Sequence, residues 1–244
     1  MLPHLASPNH GPRPEDCLID MLILHYTGMQ SAEEALERLC DPDAQVSAHY
    51  LVCEDGQILQ LVPDDRRAWH AGVAAWDGQN DINSCSIGVE IVNPGHEWGY
   101  RPFTTIQMQA VEVLCRSILS RHPIPPHRVL GHSDVAPKRK QDPGELFDWA
   151  RLASAGIGLW PSEQHRTGAP LVATDGDIRQ AFGEIGYSLQ PEQDLVSDGN
   201  SAVITAFQRH FQPHSLTGQT DRQTLDTLWA VRRCFAESRA QHEE

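Results

Sequence analysis

The stretch Asp20–Gly28, DMLILHYTG, decides how the rest of the chain is read. Four apolar residues in succession leave no polar face. A short run of that kind, closed by a glycine, predicts a buried strand ending near His25. Ser31–Cys40, SAEEALERLC, follows as a short helix, with Ser31 and Glu34 spaced as a capping box. HYLVCEDGQILQLVP has two strand-like runs on either side of Asp55-Gly56, the pair that most strongly signals a hairpin. Cys85–Asn93, CSIGVEIVN, is a further β-rich segment, stopped by Asn93-Pro94-Gly95. Phe103–His122 then shows helical spacing at Ile106, Ala110, Val113, Leu114 and Ile118, with Thr104 or Thr105 as its cap. HRVLGH predicts a short strand, and GELFDWARLASAGIG a helix. Strands alternating with helices, plus one hairpin, predict an α/β domain with a mixed central sheet flanked by helices.

Beyond Trp160 the pattern changes. Residues 162–171 are polar and proline-bearing, as a linker is. From residue 172 to 244 the apolar spacing is helical, most clearly in DIRQAFGEIGY, NSAVITAFQRHF and DRQTLDTLWAVRRCFAESRA. The expected organisation is a domain over residues 1–161 and a small all-α domain over 172–244.

Composition removes several classes of function. With 33 acidic against 19 basic residues the net charge is −14, which repels nucleic acid and supplies no polyanion-binding tail. No apolar run approaches the roughly 20 residues a membrane helix needs. The first fourteen residues carry four prolines and no apolar core, so no secretory signal is read there, and the expected location is the cytoplasm. Six cysteines without a C-x-x-C pair predict buried free thiols, in keeping with a reducing compartment.

The chemistry centres on Gly131–Gly144, GHSDVAPKRKQDPG, which packs opposed charge into one loop. A catalytic zinc takes three nitrogen or oxygen ligands and keeps one position open. His25 ends the first strand, His132 follows the later one, and Asp142 or Asp134 can complete the set. With 13 histidines in the chain, spacing does not choose between these carboxylates. Glu90 interrupts an apolar strand, on the face of Gly88 and Val92. There it is either a solvated strand position or a carboxylate held in a cleft for general-base work. Lys140 could set an ammonium beside a developing oxyanion, or Lys138, Arg139 and Lys140 could form one solvated turn.

ILHYTG, SAHYLVCEDGQILQLVPDDRRAWHAG, NSCSIGVEIVNPG, GHSDVAPKRKQDPG and FDWARLASAGIGLWP occur in that order. Together they resemble the zinc-dependent N-acetylmuramoyl-L-alanine amidases of type 2, the AmpD and AmiD group, over residues 14–161. The resemblance implies Zn2+ on His25, His132 and Asp142, rather than Asp134, with Glu90 and Lys140 catalytic. It makes Tyr50, Trp69, His70 and Asn83 groove or supporting residues, and gives Arg139 a substrate carboxylate to fork. The implied partners are peptidoglycan fragments (muropeptides), including 1,6-anhydro forms met in recycling. The implied proton logic has two cations keeping Glu90 mostly ionised. A non-catalytic muropeptide-binding protein on the same fold is the second reading, and such relatives usually lose a zinc ligand. The helical region resembles a three-helix peptidoglycan-binding module, with Ala181-Phe182 replacing the usual leucine-glutamine.

Overall fold

The computed structural model describes residues 5–242. In chain order its elements are β1 (His10–Pro12), β2 (Met21–Tyr26), α1 (Ala32–Cys40), β3 (Tyr50–Val52), β4 (Ile58–Gln60), β5 (Arg66–Ala68), α2 (Ile82–Cys85), β6 (Ser86–Ile91), α3 (Gly95–Trp98) and α4 (Thr105–Leu119). A 3-10 turn (Pro126–Arg128) leads into β7 (Val129–Gly131), α5 (His132–Val135), α6 (Trp149–Ser154), α7 (Asp175–Ile185), α8 (Asp198–Phe211) and α9 (Arg222–Ala240). The central sheet has the order β4-β3-β6-β2-β7. β2 is parallel to both β6 and β7, β3 is parallel to β6, and only β4 runs antiparallel. This is the mixed sheet that the alternating pattern predicts, and the continuous apolar run of β2 fits a strand covered on both faces.

Alternation along the strands divides the core. Leu22, Leu24, Tyr50, Val52, Ile87, Val89 and Ile91 face α4 and α6. Leu51 and Val92 face α1 on the other side. Met21, Ile23 and Leu130 meet Phe182, Phe207, Leu228 and Phe235 of the C-terminal helices in one continuous cluster. Between these two coverings, the ends of β2 and β6 that carry His25 and Glu90 stay open to a cleft. Ligands in parallel sheets gather at the carboxyl ends of strands for the same reason: the connecting loops diverge there.

Two local readings are corrected. The buried face of α4 is Gln107, Met108, Ala110, Val111, Leu114, Cys115 and Ile118, whereas Ile106 and Val113 are exposed. The cause is Gln107, a polar residue on the inner face whose amide donates to the carbonyl of Val92 at 2.8 Å. At α1 only half the capping box forms. Ser31 Oγ accepts from the Glu34 amide, but the Glu34 carboxylate accepts from the amide of Gln30. Thr104 caps α4, and all six cysteines are free thiols.

Candidate active site

Three elements bring three donor atoms to one point. His25 is the fifth residue of β2, His132 begins the turn after β7, and Asp142 follows ten residues later. His25 Nδ1 lies 2.9 Å from His132 Nδ1 and 3.0 Å from Asp142 Oδ2, and His132 Nδ1 lies 3.0 Å from the same oxygen. All three side chains are buried. The segment closes because the amide of Ser133 donates to the carbonyl of Asp142 at 2.8 Å, and because Gly131 has no side chain. A Cβ at Gly131 would stand 2.8 Å from Pro143 Cδ.

The surrounding hydrogen bonds fix where the imidazole protons are. The Ser86 hydroxyl donates to the carbonyl of Ile82 at 2.5 Å, so its oxygen accepts from His70 Nε2–H at 3.1 Å. His70 is held well below the ordinary imidazole range, by burial first and by its neighbouring histidines second. Being neutral, it presents a bare Nδ1, which accepts from His25 Nε2–H at 3.0 Å. Burial, then His132, pushes His25 down to about 4, so it too is neutral and its Nδ1 is bare. His132 Nε2–H donates to the carbonyl of Ala71 at 3.0 Å, which turns its Nδ1 toward His25 and Asp142. Burial pushes Asp142 up, but the two histidines more than offset it and hold the carboxyl ionised. Three electron-rich atoms therefore meet at hydrogen-bond distance. A cation removes that conflict. Ligand atoms on a tetrahedral ion with bonds of about 2.0–2.1 Å lie roughly 3.3 Å apart, close to the triangle seen. The donor set fits a divalent metal.

Asp134, the rival carboxylate, is turned away. Its oxygens accept from the amide of Gly131 at 2.7 Å, from Tyr187 at 2.5 Å and from His210 at 2.7 Å. These bonds commit both of its oxygens, and Asp134 is not among the donor atoms that converge on His132.

Glu90 stands beside His25 in register on the neighbouring strand. It is half-buried, and its Oε2 is sealed from solvent without a hydrogen-bond partner. A cavity of about 400 Å³ opens over it, lined among others by Tyr26, Trp69, His70, His132, Lys140 and Asp142. Ala136 C=O accepts from the amides of both Arg139 and Lys140, and this tight turn sets Lys140 on the cavity wall.

This geometry can be set beside known proteins. The profile of the family described as N-acetylmuramoyl-L-alanine amidase matches residues 14–145. N-acetylmuramoyl-L-alanine amidase AmiD of Escherichia coli is 38% identical over 224 residues, spanning 84% of this chain and 79% of that protein. The chain belongs to the N-acetylmuramoyl-L-alanine amidase family. The solved complex of E. coli AmiD with anhydro-N-acetylmuramic acid-L-Ala-D-γ-Glu-L-Lys superposes on the amidase with a TM-score of 0.79, covering 92% of each chain. AmpDh3 of Pseudomonas aeruginosa, solved with an anhydromuramic pentapeptide, has a TM-score of 0.81 at 30% identity, covering 94% of this chain and 95% of that one. The 1,6-anhydro-N-acetylmuramyl-L-alanine amidase AmpD of Enterobacter cloacae is 36% identical over 61% of this chain and 87% of its own length.

Within the amidase the predicted groove residues separate. Trp69 and His70 line the cavity. Tyr50 does not: alternation turns it to the far face, where it is buried and donates to Asp64 Oδ1 at 2.6 Å. Asn83 is also behind the wall, where its Oδ1 accepts from the amides of His70 and Ala71 at 3.1 and 2.8 Å and fixes the turn that carries His70. Arg139 reaches the cavity edge, but its Nε and Nη2 donate to the carbonyls of Val73 and Ala71, so mainly Nη1 is left for a ligand. Burial, then the charge of Asp142, raises Glu90 well above the ordinary carboxylate range, with Lys140 opposing. Among the protein groups alone, burial outweighs the cationic neighbour expected to keep it ionised. Sequence reading missed Ser86 and Gly88, although their alternation with Glu90 put all three on one face.

Proposed function

We propose that the amidase hydrolyses the amide joining the lactyl group of N-acetylmuramic acid to L-alanine in peptidoglycan fragments, 1,6-anhydro forms included, as a step of cell-wall recycling. One observation carries this reading: a set of three donors fit for a cation shares a cavity with a half-buried carboxylate and an ammonium. The AmiD complex with an anhydromuramyl tripeptide supports the substrate class.

His25, His132 and Asp142 are the ligands, and zinc is the ion that suits two imidazoles and a carboxylate. Zinc seated there supplies Lewis acidity, polarising an amide carbonyl and making a water acidic near pH 7. Glu90 takes a proton from the attacking water as the water oxygen bonds to the carbonyl carbon. Raised by burial, Glu90 then holds the proton and passes it to the alanine nitrogen as the carbon–nitrogen bond breaks. Lys140 offsets negative charge building on the carbonyl oxygen. The products are a lactyl carboxylate and a free peptide amine. His70 in the cavity wall and Asn83 behind it hold His25 in place, and Trp69 supplies an apolar wall for the substrate.

Catalysis is assigned to residues 1–161. The helices of 172–244, joined through 162–171, are assigned a peptidoglycan-binding role on the strength of their three-helix pattern. Failure of the protein to sediment with insoluble peptidoglycan would remove that second role. The six free thiols fit a reducing compartment, and recovery of the native enzyme from the periplasm would overturn that placement. The reaction itself is tested by mass spectrometry of products from anhydro and ordinary muropeptides, with and without a chelator. Free stem peptide that disappears on chelation is expected. Intact substrate in both arms refutes the assignment. His25→Ala and His132→Ala are expected to lose zinc and turnover together, and a full zinc complement in either would refute the ligand set.

A further inference from the structure

We infer that the C-terminal helices hold the metal-bearing segment in place: one turn of α8 grips both ends of residues 131–145, making Tyr187, Arg209 and His210 positioning residues for His132, Lys140 and Asp142. The inference rests on the metal reading above and goes beyond it.

At the first end, Asp134 sits two residues after His132. It receives three donors: the Gly131 amide at 2.7 Å, His210 Nδ1–H at 2.7 Å and the Tyr187 hydroxyl at 2.5 Å. Two of these come from the helical region. The first comes from the residue just before His132, so the carboxylate ties the strand end, the ligand turn and the helices together. At the second end, Glu145 sits three residues after Asp142. It accepts from Arg209 Nε at 3.2 Å and from His96 Nε2 at 3.1 Å. Arg209 and His210 are adjacent on α8 and both are buried.

The grip is rigid. The His210 ring stacks on Trp149 at 3.9 Å and 17°, and on Phe211 at 4.0 Å and 10°. Its Nε2 is buried without a partner, a cost accepted while Nδ1 serves Asp134. The buried face of α8 broadens toward its end, where residues 206–211 are all buried, because the helix packs on its own neighbours and on the ligand segment at once. Removing a donor from Asp134 leaves a buried carboxylate short of a partner, and the turn carrying His132 must move to recover one.

The test measures zinc affinity of the full chain by competition with a chromophoric chelator, and the visible spectrum of the Co2+-loaded protein. His210→Leu is expected to weaken zinc binding about 10- to 100-fold, the usual loss when groups that orient a metal ligand are removed, and to alter the Co2+ bands. His210→Asn puts an amide nitrogen near the place of Nδ1 and is expected to recover most of the affinity, although the ring stack is gone. Tyr187→Phe removes one hydroxyl and leaves the ring against Trp76 and Phe207. It is expected to weaken zinc binding in the same direction, and it decides the matter if His210→Leu does not fold. Unchanged affinity and Co2+ spectra in the folded variants would overturn the inference. So would equal losses in the Asn and Leu variants, which would assign the effect to ring packing. A wild-type protein that binds zinc no better than His25→Ala would instead refute the metal reading.

Discussion

Gly88→Ala is a small change that reaches the proposed metal centre without touching a proposed ligand. A Cβ at residue 88 would stand 2.4 Å from His70 Cγ and 2.6 Å from both Cδ2 and Nδ1. Ordinary contact begins near 3.4 Å, so about 1 Å must be found. The strand cannot supply it. The Gly88 amide donates to His49 Nδ1 at 3.0 Å, and its carbonyl accepts from the His49 amide at 3.0 Å. The ring of His70 has to move, and it is held by 3.0 Å to His25 Nε2 and 3.1 Å to Ser86 Oγ. A shift of about 1 Å stretches the His25 contact toward roughly 4 Å, beyond any hydrogen bond. His25 then loses the partner that keeps its Nδ1 bare and aimed. Overpacking of this kind costs about 1–3 kcal/mol of stability, and loss of an orienting partner costs about 10–100-fold in metal affinity. Thermal melts and chelator competition read the two effects separately. Adding His70→Ala to Gly88→Ala clears the clash and should restore stability without restoring metal affinity, because the clash and the orienting bond are different interactions. A Gly88→Ala protein with unchanged melting temperature and zinc affinity would show that His70 does not hold His25.

Two further substitutions separate roles. Glu90→Gln should keep zinc and lose about 100-fold or more in turnover, and near-normal turnover would exclude Glu90 as the base. In metal-free protein the same change should stabilise the fold. The raised folded pKa of Glu90 favours folding below the unfolded value of about 4.3, and that contribution is lost as pH rises through the folded pKa. The gain of the Gln variant over wild type should therefore be largest at neutral and alkaline pH and close near pH 4, and a gap that widens on acidification would contradict the sign. Tyr50→Phe should cost about 1.5–3 kcal/mol through the lost bond to the Asp64 carboxylate, and should leave kcat and KM as they were. A raised KM would return Tyr50 to the groove.

The fold was legible wherever one physical cause dominated locally. The unbroken apolar run of β2 implied burial on both faces, and Asp55-Gly56 implied the hairpin. The face of α4 was misread because Gln107 bonds a carbonyl from inside the core, and hydropathy cannot see a satisfied buried amide. Tyr50 could have been placed from alternation: Leu51 is in register with Glu90, so its neighbour had to face away. The motif outweighed that signal. What sequence could not supply was the tie between Asp134 and His210, which lie 76 residues apart. Asp134 read as a rival zinc carboxylate and His210 as one polar residue of an amphipathic helix, and only packing of α8 against the sheet gives them a common place.

That tie also accounts for the opposed charge between Gly131 and Gly144. The two carboxylates and the three cations of this loop differ in burial. Asp134 and Asp142 are both inside, one bonded by three donors, the other facing the Nδ1 atoms of His25 and His132. Lys138 and Arg139 are exposed, and Lys140 stands between solvent and cavity. Charges sorted this way do not neutralise one another as a surface cluster would, because each anion is already committed to partners elsewhere in the fold. The cations are therefore not paired by the loop's own anions, in a protein whose net charge of −14 would otherwise repel an acidic peptide. If that is their use, replacing exposed Lys138 by Glu should raise KM for an acidic stem peptide more at low salt than at high salt, with zinc affinity unchanged. A KM indifferent to both the substitution and the salt would mean that the rim charge does not guide the substrate.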